Sequence, residues 1–195
     1  MNAYSPHSEG PGAQNSGVAV AEPIPVLSAD DFKMAFRLYP GGVSLITADA
    51  GAGPVALTAT SVSPVSAEPP LLMFSLSALS SSTPTLREAE TVVIHLLNAG
   101  SLDLAKLGAT SGIDRFADAT RWERLATGEP VFTEAPVWIR ARVHNRMEVG
   151  GSTVIVGEAL ESSVLSESFD ALASSDGLVY VNRAWHRIGT HSQIH

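Results

Sequence analysis

The residues best suited to chemistry lie in one short run, Thr58, Ala59, Thr60, Ser61 and Ser63, closed by Pro69-Pro70. Small residues let a flat ligand approach the backbone, and hydroxyls with free N–H groups can bond its polar edge. Taken alone, the run reads equally well as a Ser/Thr-rich loop between two core strands. A second hydroxyl cluster, Ser77 with Ser80, Ser81, Ser82 and Thr83, runs into Pro84. Proline at a helix start leaves neighbouring N–H groups facing outward, which suits an anion such as phosphate. An ordinary helix cap uses the same residue types. Arg87 stands one turn on, within reach of such an anion or of solvent. Ser61, His95 and Asp103 have neither a nucleophile elbow nor a spacing that recommends a hydrolytic triad.

Composition removes several function classes. The chain has 195 residues, the length of one domain with enough core to fold unaided. It contains no cysteine, so disulfides, thiolate catalysis and cysteine-held metal are excluded. A net charge of −8 and 12 scattered basic residues argue against a nucleic-acid footprint. A local pocket of donors can still hold a phosphate. No apolar run reaches the length of a membrane span. Residues 1–27 read as a disordered arm without the pattern of a signal peptide, so a cytoplasmic location is expected.

The elements that must position these residues are mostly strands. Ser28 and Asp31 form a capping-box pattern, and Phe32, Ala35, Phe36 and Tyr39 follow at helical spacing. Pro40 and Gly41-Gly42 end that helix. Strands are predicted at 43–48, from Gly53 into the Thr58 run, at 71–77 and at 91–98. The last is apolar throughout, as expected of a strand covered on both faces. A short helix runs to Glu90, and Ser101 caps another containing Leu102, Ala105 and Lys106. A polar loop spans 114–128. Strands 136–149 and 153–165 meet at Gly150-Gly151, a good hairpin turn. A short helix at 166–174 and a hairpin of 178–181 with 185–188 close the domain. Little βαβ alternation and no Gly-x-Gly-x-x-Gly after a strand favour a barrel over a doubly wound sheet. The ordered domain is expected at 28–190, with 191–195 a tail.

The order Thr58-Ala-Thr-Ser-Val-Ser-Pro-Val-Ser-Ala-Glu-Pro-Pro70 resembles the flavin-contacting segment of the FMN-binding split-barrel flavin reductases, the reductase components of two-component monooxygenases. The resemblance covers roughly residues 32–189. It includes Phe36-Arg-Leu-Tyr-Pro-Gly-Gly-Val-Ser-Leu-Ile-Thr47, Ser80-Ser-Ser-Thr83, Val93-Ile-His-Leu-Leu-Asn98, Asp114-Arg-Phe116 with Trp122, and Gly177-Leu-Val-Tyr-Val-Asn-Arg-Ala-Trp185.

The resemblance implies a mainly β fold, a Greek-key-type antiparallel split barrel with a few short helices. It also implies a homodimer that passes hydride from NADH or NADPH to FMN, or to FAD, and supplies a partner monooxygenase. Thr58, Ala59, Thr60, Ser61 and Ser63 would hold the flavin ring. Ser77, Ser80, Ser81, Ser82 and Thr83 would hold the ribityl chain and phosphate. Phe116 and Trp122 would sit near the flavin of a neighbouring subunit or in the core. One position departs from the pattern. Where the family carries Gly-Asp-His, this chain has Gly150-Gly151-Ser152. Ser152, the residue at the catalytic position, can donate a hydrogen bond but cannot carry charge. His144, eight positions upstream, reads as a surface strand histidine.

Overall fold

The computed structural model describes residues 24–164 and 175–194. They form α1 (Ala29–Arg37), β1 (Gly41–Gly42), β2 (Ser44–Asp49), β3 (Pro54–Ala59), β4 (Ser63–Ser66), β5 (Leu71–Ser77), α2 (Thr83–Glu88) and β6 (Thr91–Leu96). There follow α3 (Leu102–Ala109), β7 (Trp122–Arg124), β8 (Pro130–Phe132), β9 (Val137–Val149), β10 (Ser152–Ser162), β11 (Gly177–Val181) and β12 (Ala184–Ile188). Most of the predicted arm and the helix read at 166–174 lie outside the described residues.

Seven strands make one antiparallel sheet in the order β3-β2-β6-β9-β10-β5-β4. Laid flat, its outer strands would stand about 29 Å apart at the usual strand spacing. Yet β3 and β4 are consecutive, and only Thr60, Ser61 and Val62 join them. That link spans about 14 Å at most. The sheet must therefore curl until its edges approach. The two edges do not pair with each other, so the barrel is split at this seam. Ser61 bridges it: its Oγ accepts the Ser75 N–H at 3.0 Å and lies 3.3 Å from the Ser75 carbonyl.

Curling gives the sheet an inner and an outer face. Inside pack Ile46, Leu72, Phe74, Leu76, Ile94 and Ile155, with Leu86 of α2 and Ala89 at its C-cap among them. Outside, Leu45, Ala56, Leu104, Ala105, Phe116 and Phe132 form a second cluster under α3 and the β7-β8 ribbon. The middle strands β2 and β6 are thus covered on both faces, which explains why successive residues are buried along most of each strand. Gly108 of α3 sits so close to β3 that a Cβ there would fall 2.2 Å from Leu45 Cδ1 and 2.3 Å from Thr58 Oγ1.

Two local readings need revision. The polar segment 114–128 contains β7, which pairs with β8 through Trp122 opposite Phe132. Ser101 does not cap α3 with its side chain; its hydroxyl donates to Asn98 Oδ1 at 3.0 Å and closes the 3-10 turn Ala99–Ser101 that precedes the helix. Phe116 and Trp122 meet edge to face at 5.0 Å in the outer cluster, the core position that is one of their two readings. By contrast Ser28 caps α1 as read, accepting the Asp31 N–H at 3.1 Å.

His95 on β6 is the polar centre of the outer cluster. Its Nδ1 lies 3.0 Å from the Leu45 carbonyl, and its Nε2 accepts the Phe132 N–H at 3.0 Å. One ring thus joins β6, β2 and β8 and satisfies two buried backbone groups. The same bonds leave no nitrogen for a catalytic triad. Burial pushes the imidazole pKa down from 6.5 to about 4, against the opposing pull of the Leu45 carbonyl. Nearby, Glu129 and Arg140 pair at 2.7 Å and tie β8 to β9. Burial raises the Glu129 pKa, but hydrogen bonds involving Thr127, Thr91 and Arg140 outweigh it and hold the carboxyl at about 2.

Because the folded His95 pKa lies below its unfolded value, its contribution to stability is full above about pH 6.5 and fades as pH falls toward 4. Urea unfolding at pH 5 should therefore show about 2 kcal/mol less stability from this group than at pH 7.5. His95→Gln should be less stable at pH 7.5 by about 1–3 kcal/mol and lose this part of the pH dependence. An unchanged slope in the variant would rule out His95 as its source.

Candidate functional site

The seam of the barrel opens into a cleft of about 900 Å³. Its floor is Thr60, Ser61 and Ser63 with Met73 and Ser75 of β5. One wall is α1 with Phe32 and Phe36, continued by Tyr39 just past its end, and the other is the β11-β12 turn with Asn182 and Arg183. Helical spacing on α1 thus builds a wall of the cleft and not a core face; none of its residues is buried. Ring centroids of Phe32 and Phe36 lie 4.8 Å apart, and those of Phe36 and Tyr39 lie 6.3 Å apart. Gly41 of β1 crosses directly over the floor, where a Cβ would stand 2.9 Å from Thr60 Cβ and 3.1 Å from the Thr60 carbonyl.

The expected site residues separate into two groups. Thr60, Ser61 and Ser63 reach the cleft. Thr58 and Ala59 lie behind it. The Thr58 hydroxyl donates to the Ala105 carbonyl of α3 at 2.7 Å, and Ala59 packs inside the barrel. Strand alternation is the reason, since β3 sends 55, 57 and 59 inward and 56 and 58 toward α3.

None of the second hydroxyl cluster, Ser77 with Ser80–Thr83, lines the cleft. The Ser82 hydroxyl donates to the Ala56 carbonyl on the free edge of β3 at 2.8 Å, and Thr83 donates to the Ser77 carbonyl at 2.7 Å. Both residues are buried and brace the loop. Ser80 Oγ accepts the Ser82 N–H, and Ser77 Oγ accepts the Leu79 N–H. Ser81 is exposed and makes no hydrogen bond among the described residues. Arg87 is already paired with Glu148 at 2.7 Å, beside a recess of about 420 Å³.

Ser152 opens β10 and pairs with Ser77 of β5. It does not line the cleft. Its pair lies two residues along β5 from Ser75, about 7 Å farther on the same face. His144 sits at an irregularity of β9 and is exposed.

Sequence reading missed the cleft's cations. Lys33, Arg37 and Arg183 all line it, and no carboxylate does. Arg183 stands in the turn after Asn182, and both have left-handed backbone, with φ of 63° and 49°. For a non-glycine residue that conformation costs about 1–2 kcal/mol. Asn182 is held from two sides, its N–H donating to the Arg37 carbonyl at 2.8 Å and its Oδ1 accepting from Arg37 Nε at 2.7 Å. The Asn182 turn is a sequence signal in itself, but nothing local shows that it overhangs a cleft.

The model of the flavin reductase like domain matches residues 36–189. The chain belongs to that family. It is 42% identical to the NADH:FMN oxidoreductases of Rhodococcus qingshengii and Rhodococcus erythropolis over 161 residues, 83% of this chain and 82% of each relative. It is 35% identical over 135 residues to the stachydrine N-demethylase reductase subunit Stc3 of Rhizobium meliloti, 68% of this chain and 58% of that one. Among solved structures, the flavin reductase domain protein from Arthrobacter sp. FB24 superposes with a TM-score of 0.73 at 27% identity, covering 81% of this chain and 94% of that one.

The donor set fits a flavin of this family. The floor is of uncharged hydroxyls and small residues, and the surrounding charge is cationic. The crossing of Gly41 over Thr60 gives a controlled test. Gly41→Ala should push Thr60 into the cleft and weaken FMN binding about tenfold or more, a cost of over-packing near 1.4 kcal/mol. Gly42→Ala, with nothing within 4 Å of its Cβ, should bind normally. Fluorescence titration of FMN reads both, and equal affinities would remove the floor from the flavin site.

Proposed function

We propose that the chain is an NADH-dependent FMN reductase that delivers reduced flavin to a separate oxygenase. The observation that carries the reading is the cleft at the seam, floored by Thr60, Ser61 and Ser63 and free of carboxylates. The Rhodococcus relatives named NADH:FMN oxidoreductase support the pairing of FMN with NADH. The relative named as the reductase subunit of a demethylase supports a partner oxygenase. NADH is a cytoplasmic metabolite, which favours that location.

Thr60, Ser61 and Ser63 are the candidates to hold the flavin ring, with Ser77, Ser80 and Ser81 for the ribityl chain and phosphate. Thr58, Ala59, Ser82 and Thr83 shape the site from behind. Bound flavin would supply the hydride acceptor, so the protein's part is positioning and electrostatics. Orientation alone can supply a large share of such a rate. No general base is needed. Ser152 offers a hydrogen bond near Ser77 where relatives with histidine offer charge as well.

A homodimer fits the same surface. Met73, Val154, Val156, Met147 and Val149 project from the outer face of β5, β10 and β9, and Met147 and Val149 are about half exposed. This apolar face continues from the cleft and includes Ser75 at its margin. Burying it in a two-fold interface would also shield the flavin from water.

Under anaerobic conditions FMN should quench on binding, and added NADH should bleach its oxidised absorbance band. No quenching at about 100 μM FMN would place affinity below the range of a working flavin site and reject the reading. In the same assay Ser152→His should raise the NADH-linked rate more than about tenfold, as a histidine in a positioning or acid–base role does. FMN affinity should hold. A variant no faster than the parent, with FMN bound normally, would deny Ser152 a place in turnover. Light scattering should give twice the 20.4 kDa chain mass; a monomer that reduces flavin would dispose of the shared interface.

A further inference from the structure

The hydroxyl floor accounts for only part of the cleft. Its volume of about 900 Å³ lies at the upper end of the range for small-molecule sites. Its rim has a different chemistry. Lys33 and Arg37 of α1 and Arg183 of the β11-β12 turn converge on it, with Phe32, Phe36 and Tyr39 between them. Three cations without a carboxylate are notable in a chain of net charge −8. Lys33 is the least committed to the site, since it pairs with exposed Asp30 at 3.2 Å. Arg37 is occupied by Asn182 through Nε. Arg183 makes no hydrogen bond or ion pair among the described residues, though its turn is held in left-handed backbone. Asn182-Arg183 is the two-residue turn between the paired Val181 and Ala184, a loop that takes left-handed backbone at both positions, and it fixes the base from which Arg183 lines the cleft.

The neighbouring aromatics narrow the ligand class. Phe32, Phe36 and Tyr39 are all more than half exposed, so their faces are open to a planar ring. A guanidinium beside such faces matches a phosphate attached to an aromatic base. We propose that this rim binds the adenosine diphosphate moiety common to nicotinamide dinucleotides and FAD, with Arg183 as its phosphate contact and specificity-determining residue. The choice of a nucleotide rests on the reductase reading; the cationic, aromatic rim does not.

ADP-ribose, which lacks the reactive nicotinamide, tests the rim without turnover. Wild-type protein should bind it in calorimetry, more weakly as salt rises. Arg183→Gln should lose about tenfold in affinity and most of the salt dependence. Lys106→Gln, the same charge change on α3 outside the cleft, should bind like wild type. Arg183→Gly separates binding from folding. It relieves the left-handed backbone, so its melting temperature should hold or rise while ADP-ribose affinity falls. Turnover then identifies the source of the moiety. A raised KM for NADH with kcat and FMN affinity unchanged assigns it to the nicotinamide dinucleotide. An unchanged KM with a lowered preference for FAD over FMN assigns it to the flavin. Undetectable binding of ADP-ribose to wild type, or equal affinity in Arg183→Gln, overturns the proposal even if the enzyme reduces flavin. Arg183-dependent binding in a protein that reduces no flavin overturns the reductase reading and leaves the rim assigned.

Discussion

A three-residue link between the two edges of a seven-stranded sheet is the constraint from which the rest of the molecule follows. It is too short to let the sheet lie open, so the sheet curls. Curling creates an interior, which Phe74, Leu76, Ile94 and Ile155 fill and α2 plugs. It also creates a seam where two edges face each other without pairing. Unpaired edges expose backbone donors and acceptors that need partners. Ser61 supplies them to Ser75 of β5, and Ser82 supplies one to Ala56 of β3. The seam is therefore polar, lined with small residues and open, which are the properties of a site for a flat polar ligand. Site and fold are consequences of one connection.

The outer face is organised by a different demand. A sheet curled this tightly leaves apolar residues of β2, β3 and β6 pointing out, and α3 with the β7-β8 ribbon covers them. His95 holds that cover in place through neutral imidazole bonds to two strands. Thr58 does the same for α3. Polar residues in this chain thus divide by face. Those turned to the outer cluster brace the scaffold, and at the seam Ser61 and Ser82 tie down backbone groups while Thr60 and Ser63 line the cleft. The division keeps the floor of the cleft rigid, and the cations and aromatics of the rim stand on α1 and a hairpin turn packed more lightly around it.

Much of this was legible in the residues. The strands around Gly150-Gly151, the doubly covered strand at Thr91–Leu96 and the cap at Ser28 follow from local pattern, because periodicity and turn chemistry act over a few residues. The Thr60–Ser63 floor was legible too, as small hydroxyl residues between two strands. Which hydroxyl faces which way was not. Alternation in Leu57-Thr58-Ala59-Thr60 puts both threonines on the same side of the strand, but nothing in it says that α3 covers Thr58 while Thr60 is left to the cleft. Ser82 and Thr83 read as phosphate ligands and as caps with equal ease, and the structure uses their hydroxyls to satisfy carbonyls far away in the chain.

The sequence by itself determined the composition of the site and the order of its elements: a hydroxyl run between strands, no thiol, no metal cluster pattern, and an antiparallel β framework. Tertiary structure alone decided who meets whom. Arg183 comes to line the same cleft as Thr60 because the β11-β12 hairpin pairs with β1, and β1 crosses the seam at Gly41. α1 became a wall of the cleft because no other described element covers it. The physical reason is range. Turn preference and periodicity are written into neighbouring residues, whereas the convergence of residues 33, 37, 60 and 183 depends on the closure of the whole sheet.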